Sequence, residues 1–560
     1  MLRRFLIVLT ALALPLAAPA LAQSRNLSGA YLAAQQAEMR SDHRAAALYY
    51  TRALGFDGEN TGLLQRAMQA QVAAGDVDVA ASIADRLLDL NTENQFATLV
   101  ALADDVAEGD FASALARIEE GEQGVTPLLA DLLRGWLMIA LGDVEDGRAV
   151  FARIDGNDTY RVFAAYHRAL ALALEGDIQA ASAAMETGAD GPIRLNRRAT
   201  LARIQLLAEV GQTDTALTLT RDVLATGFGD SAFGTLRRTL ENEGDVSFDL
   251  ISSPTEGIAE VFFDLASVLG DEGEDVALIY GRLSTHIQPE LSDAQLLVAE
   301  ILNRQGQFAL SGDAFDAVPS DAPQFVEAEL GRADALDKDD REGEALAVLS
   351  GLVQAYPNTM RLNYLYGEAL RRAERPDEAV EALDRAVSLL GEPMQRHWLV
   401  FYQRGVSHHD AGRWPQAEAD FRQALDLDPD NALVLNYLGY SMVEERQNLD
   451  EALEMIRNAV AQRPYDGYIT DSLGWVLYRL GRFEEAVEPM ERAVELAPVD
   501  PIINDHLGDV YWTVGRKREA EFQWRRALSF DPEPAEEARI RQKLDIGLDA
   551  VIAQEEAGDG

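Results

Sequence analysis

Apolar residues recur at helical spacing along most of this chain, in short amphipathic segments that come two by two and are parted by glycine or proline. Residues 97–107 followed by 111–119, and 160–174 followed by 178–185, each predict a pair of helices joined by a tight bend. The pairs are periodic. Between residues 398 and 532 one set of residues returns four times in the same order. Gly405, Gly439, Gly474 and Gly508 stand at steps of 34, 35 and 34. Ala417, Ala452, Ala486 and Ala520 follow them, and seven residues further come Ala424, Ala459, Ala493 and Ala527. Between the two alanines stand Phe421, Ile456, Met490 and Trp524, and Pro429, Pro464, Pro498 and Pro532 close the units.

Packing chemistry explains the set. A glycine inside a helix costs about 1 kcal/mol relative to alanine, so one that recurs in every unit must allow a close approach of the neighbouring helix. The alanines serve the same approach from the second helix, the bulky residue fills the space between, and proline ends the helix. Gly412, Gly481 and Gly515 mark the bend inside three units. The fourth has Gln447 and Asn448 there and carries the extra residue.

The beat continues more weakly towards the N-terminus. Ala46, Ala80, Ala114, Gly147, Ala181 and Ala216 are separated by 34, 34, 33, 34 and 35, with Gly75, Gly109, Gly142, Gly176 and Gly211 half a unit earlier. It lapses over 226–257, a Gly- and Ser-rich stretch with one short helix expected at 232–241, which reads as a joint. It resumes on Ala266, Ala277, Ala299, Gly331, Ala345, Gly367 and Ala379. The expectation is an all-α superhelical solenoid of about 13–14 helix pairs in two runs, 23–225 and 258–534. Residues 535–553 then supply one capping helix, and 555–560 a disordered acidic tail.

Residues 1–22 carry Arg3 and Arg4, an apolar run over 5–14, Pro15, and small residues ending at Ala22. That is the build of a cleavable secretory signal, with cut expected before Gln23. Pro15, Pro19 and the shortness of the run count against an anchor helix, so no membrane span is expected after the signal is removed.

Composition narrows the chemistry. With no cysteine, disulfides, thiolate metal sites, cysteine nucleophiles and lipid attachment through cysteine are excluded. The formal charge is -45, and removal of Arg3 and Arg4 with the signal takes it to -47. Nucleic acid is thereby excluded as an expected partner, since phosphate binding rests on lysine and arginine. A basic protein face would be attracted, although the same charge also serves simple solubility. The seven histidines form no metal motif, and His408 and His409 point about 100° apart on one helix. Asp426, Asp428 and Asp430 imitate a calcium loop, but Asn431 and Tyr437 stand where its glycine and closing glutamate belong. No HExxH, Walker or GxSxG motif occurs. No enzyme activity, cofactor or metal is expected.

The glycine, paired alanines, bulky residue and closing proline at this period resemble the tetratricopeptide repeat. The segments NYLGY (436–440), DSLGWVLYRLG (471–481) and DHLGDVYW (505–512) are similar to envelope tetratricopeptide proteins of proteobacteria. Among these the chain most resembles outer-membrane lipoprotein adaptors that bind a carboxy-terminal processing protease and bring substrates to it. It departs from them in having no lipid-accepting cysteine. The resemblance implies a periplasmic, non-lipidated scaffold that binds protein or peptide partners, such a protease and its substrates among them. The other implied role is an assembly scaffold for envelope polysaccharide or outer-membrane machinery. In such arrays the first helix of each unit lines a concave groove. Counted from the repeat glycines, the lining residues are Tyr364, Arg371, Arg372, Tyr402, His409, Asn436, Tyr440, Tyr468, Asp471, Trp475, Tyr478, Arg479, Asp505, Asp509 and Trp512. Tyr478 and Trp512 could equally pack between neighbouring helices.

Overall fold

The computed structural model describes residues 27–90, 93–120, 125–154, 160–186, 196–225, 231–269 and 273–558. The expected signal, at 1–22, and residues 226–230 of the expected joint lie outside the described residues. Among those described there are thirty-one α-helices and no strand, and no helix is long and apolar enough to cross a membrane. The chain divides into two compact units between Val348 and Leu349.

The first unit holds α1 (Leu27–Glu38), α2 (His43–Leu54), α3 (Thr61–Ala74), α4 (Val77–Asp89), α5 (Gln95–Glu108), α6 (Phe111–Glu120), α7 (Pro127–Leu141), α8 (Val144–Ile154), α9 (Arg161–Leu174) and α10 (Ile178–Glu186). It continues through α11 (Arg197–Glu209), α12 (Thr213–Ala225), α13 (Ser231–Glu241), α14 (Pro254–Val268), α15 (Glu274–Ile287), α16 (Ser292–Arg304), α17 (Phe308–Asp316) and α18 (Phe325–Lys338). The unit boundary falls inside α19 (Glu342–Ala355). The second unit holds α20 (Met360–Arg372), α21 (Pro376–Ser388), α22 (Trp398–Asp410), α23 (Trp414–Leu427), α24 (Ala432–Glu444), α25 (Leu449–Gln462), α26 (Gly467–Arg479), α27 (Phe483–Leu496), α28 (Pro501–Thr513), α29 (Lys517–Ala527), α30 (Pro534–Ile546) and α31 (Leu548–Gly558).

In the second unit the repeat residues meet as their chemistry requires. A Cβ on Gly405 would come within 2.7 Å of Phe421, on Gly439 within 2.8 Å of Ile456, on Gly474 within 2.6 Å of Met490 and on Gly508 within 2.4 Å of Trp524. All eight ladder alanines, from Ala417 to Ala527, are 0% exposed. Gly508→Val is expected to lower the urea midpoint of unfolding, because overpacking a close-packed contact costs about 1–3 kcal/mol. The bends pass through left-handed backbone, as at Gly481 (φ 74). The unit without a bend glycine uses Arg446 (φ 55) and Asn448 (φ 48), and so accommodates its extra residue.

The C-terminus differs from the single helix expected over 535–553. Gly547, at φ 82, separates α30 from α31, and the acidic segment is helical as far as Gly558. Residues 559–560 lie outside the described residues.

The first unit begins as the same kind of array, with Ala80, Ala114, Ala181 and Ala216 fully buried. The stretch read as a joint, 226–257, lies inside this unit and includes α13. Beyond it the chain does not extend the stack but turns back. Helix α14 packs against α7 and α9, and α15 against α3, α4 and α5. At the far end His43 of α2 meets Gln305 at 2.7 Å and Arg44 meets Asp313 of α17 at 2.5 Å. The chain thus runs back along α3, α5, α7 and α9, the first helices of their pairs. Composition permits this: nine residues of α14 and nine of α15 are buried, as a helix surrounded on all sides requires.

A polar seam fixes the turned-back helices. Gly257 lies on the Trp136 indole, where a Cβ would stand 2.6 Å from the ring. Glu260, 0% exposed, accepts from the Tyr166 hydroxyl at 2.7 Å and from Arg198 Nε at 2.8 Å, and Arg198 also donates to Asp293 at 3.0 Å. Asn196 donates to Asp264 at 2.6 Å, and Trp136 Nε1 to His167 Nδ1 at 3.0 Å. Burial, then the Glu260 charge, pushes Asp264 up to about 8, and burial pushes His167 down to about 3. Their 3.7 Å approach therefore joins two uncharged groups.

A pH dependence follows. Above the ordinary histidine value of 6.5 and below about 8, folded Asp264 holds a proton that the unfolded chain has lost, so stability falls as pH rises through this window. Burial raises Glu260 as well, against the pull of Arg198 and Tyr166. Below 6.5 the unfolded chain protonates His167 and the folded chain does not, which opposes the trend. Urea unfolding of the first unit's helices is expected to show lower stability at pH 8 than at pH 6.5, with a shallower slope in Asp264→Asn.

Candidate functional site: the inner face of the second unit

Helices α20, α22, α24, α26 and α28 are the first helices of their pairs, and the predicted residues fall on them in three groups. Tyr364, Arg371, Tyr402, His409, Asn436, Tyr440, Tyr478 and Arg479 are half-buried, while Arg372 and Tyr468 are exposed, the latter at 63%. Asp471, Trp475 and Asp509 are buried. The last pair, Asp505 and Trp512, is covered by the chain's own α30 and α31.

The rings pack against one another from helix to helix. Tyr402 meets Tyr437 edge-on at 5.7 Å, and His409 Nδ1 lies 3.3 Å from the Tyr437 hydroxyl. Trp475 stacks on Tyr478 at 5.0 Å and on His506 at 4.0 Å, and its Nε1 donates to Glu444 at 2.9 Å. His506 pairs with Asp471 at 3.0 Å. Burial works against its charge, but Asp471, Asp505 and Asp509 hold its pKa above the ordinary value. Trp475 and Asp471 are therefore packing residues of the α26–α28 seam. Tyr437 and His506 escaped the sequence count because each stands one position from a counted residue, on the side turned to the preceding first helix.

At the α28 end Lys543 of α30 reaches in, its side chain 0% exposed, with Nζ 2.6 Å from Asp505 and 2.7 Å from Asp509. Trp524 Nε1 donates to Asp509 at 2.9 Å, and Arg539 stands 3.6 Å from the same carboxylate. Trp512 donates to Asp549 of α31 at 3.1 Å, and a Cβ on Gly547 would meet its ring at 2.7 Å. Nothing in the repeat spacing marks Lys543; its value as a pairing cation depends on where α30 folds.

The portion from α20 to α26 offers unused polar groups. Asn436 Oδ1, Gln403 Oε1 and Arg371 Nε are buried and have no hydrogen-bond partner among the described residues. Arg479 makes no ion pair with any described residue, and Arg371 reaches Asp410 only at 4.0 Å. Burial, aided by neighbouring acids, raises the phenols of Tyr364, Tyr437 and Tyr440, so all three keep their protons and can donate. Aromatic bodies with polar tips beside unpaired donors and acceptors suit a polypeptide ligand.

Antiparallel helix pairs stacked through a small-residue ladder, with rings and free polar groups on the first helices, define a helical-repeat interaction protein. The chain carries tetratricopeptide repeats: residues 330–392, 402–467 and 443–501 match the model of that family. Repeats of this kind are protein–protein interaction scaffolds and generally not catalytic. A TPR repeat-containing protein of Pseudomonas aeruginosa is 30% identical over 159 residues, 28% of this chain; the match spans 26% of that relative's length. Among solved structures, the APC/C hetero-tetramer Cut9–Hcn1 aligns over 94% of this chain and 97% of its own, at 16% identity and TM-score 0.37. YrrB, a TPR protein described as having an unusual peptide-binding site, covers 35% of this chain and 97% of its own, at 17% identity and TM-score 0.28.

Proposed function

We propose that the inner face of α20–α26 grips an extended segment of a partner protein, with Tyr364, Tyr402 and Tyr440 as apolar anchors and Arg371, Arg479 and Asn436 as polar contacts. The observation that carries this is the unpaired Arg479 beside Tyr440, together with the partnerless Asn436 Oδ1, in a chain whose formal charge is -45. An arginine free of carboxylates in so acidic a protein suits an acidic side chain from outside. The chain acts as an exported, periplasmic scaffold that presents such segments to a carboxy-terminal processing protease. The likeness of its C-terminal repeats to envelope adaptors, and the signal-like N-terminus, support this finer reading.

The test is capture from a periplasmic extract by the immobilised chain, followed by mass spectrometry. Recovery of a processing protease with its substrates supports the adaptor role, and recovery of export or polysaccharide machinery alone removes it. Tyr440→Ala combined with Arg479→Ala is expected to weaken capture at least tenfold at unchanged helicity, since aromatic and arginine anchors each contribute about 1–2 kcal/mol or more. Undiminished capture would move the binding surface elsewhere.

A further inference from the structure

Where α15 crosses the array, His286 stands between two carboxylates carried by two other helices. Its Nε2 lies 3.1 Å from Asp104 Oδ1 on α5 and its Nδ1 lies 3.7 Å from Asp78 Oδ1 on α4. One ligand atom from each of the three residues lies within 4.8 Å of the other two. A neutral imidazole carries a single N–H, so one of its nitrogens turns a lone pair towards a carboxylate oxygen whichever tautomer is present. The ring thus draws two carboxylates from separate helices into one cluster.

We propose that Asp78, Asp104 and His286 form a divalent-cation site that clasps the turned-back helix α15 to the array. A cation held by one ring nitrogen and one oxygen of each aspartate forms coordinate bonds to all three groups and neutralises the two carboxylates. One imidazole with two carboxylates is a donor set for zinc or a neighbouring first-row ion, with water in the fourth position. Metal–ligand bonds of about 2.1 Å give tetrahedral edges of roughly 3.4 Å, so donor atoms that lie within 4.8 Å of one another draw together by side-chain rotation on binding. Access is built in, because Asp78 is 89% exposed at the rim while His286 is 17% and Asp104 30% exposed. Two ligands come from consecutive helices and the third, His286, lies 182 residues beyond Asp104, so no motif announces the set.

The experiment takes the full chain, stripped with EDTA and titrated with zinc chloride by calorimetry, with cobalt chloride as a spectroscopic probe. One equivalent of zinc, a rise in melting temperature and visible d–d absorption of tetrahedral cobalt are expected. His286→Gln and Asp104→Asn should each weaken zinc at least tenfold and abolish the cobalt band. Asp78→Asn, at the exposed rim, tests the site without disturbing packing. No binding by the parent, or parent-like binding by any variant that circular dichroism shows to be folded, would overturn the proposal.

Discussion

Lys543→Ala is expected to destabilise the second unit by about 3–5 kcal/mol, because it leaves buried carboxylates without their cation. The Lys543 side chain is 0% exposed between Asp505 and Asp509, and Asp509 is 1% exposed. Burial and the neighbouring Asp509 already raise Asp505 to about 6, against the pull of Lys543. Urea unfolding followed by tryptophan fluorescence should report the loss, since Trp524 donates to Asp509 and packs against Trp512. Adding Asp505→Asn and Asp509→Asn to Lys543→Met should recover most of it. If the single substitution costs less than about 1 kcal/mol, α30 does not seal the last repeat.

The second large effect belongs to the first unit. Arg198→Met removes the cation that Glu260 and Asp293 share, at 2.8 and 3.0 Å, where Glu260 is 0% exposed. A loss of about 3–5 kcal/mol is expected, again the cost of an uncompensated buried charge. Arg198→Met with Glu260→Leu should be far less damaging, because an apolar replacement of a buried pair is often neutral. Equal losses in the single and double variants would show that the seam is held by α14 packing, not by its ion pairs.

What the sequence made legible was local. Gly405, Ala417, Phe421 and Ala424 lie within one helix pair, so the close approach they permit leaves the same mark in every unit. The return of α14 and α15 left no such mark, since spacing reads alike whether a pair extends a stack or folds back on it. The one available signal was composition: residues 257–266 are almost wholly apolar, and Glu260 and Asp264, four apart, are the only charges. Such a helix can only be buried on every side, with partners for both acids. On the inner face, spacing places the counted residues on the first helices of their pairs but cannot tell an open side chain from a covered one. Tyr440 and Asp509 occupy the same register position in successive first helices but one, yet Asp509 meets Lys543 from a helix beyond the repeats.

The doubling back of the chain bears on its birth at the ribosome. Arg44 cannot meet Asp313 until the residues between them, a separation of 269, have been made. Early helices must wait with their inner faces uncovered, and closure over so long a span is slow. The later repeats, whose ladder contacts are all between near neighbours, can assemble pair by pair as they emerge. Any chaperone that guards this polypeptide during synthesis has its longest task with the N-terminal helices.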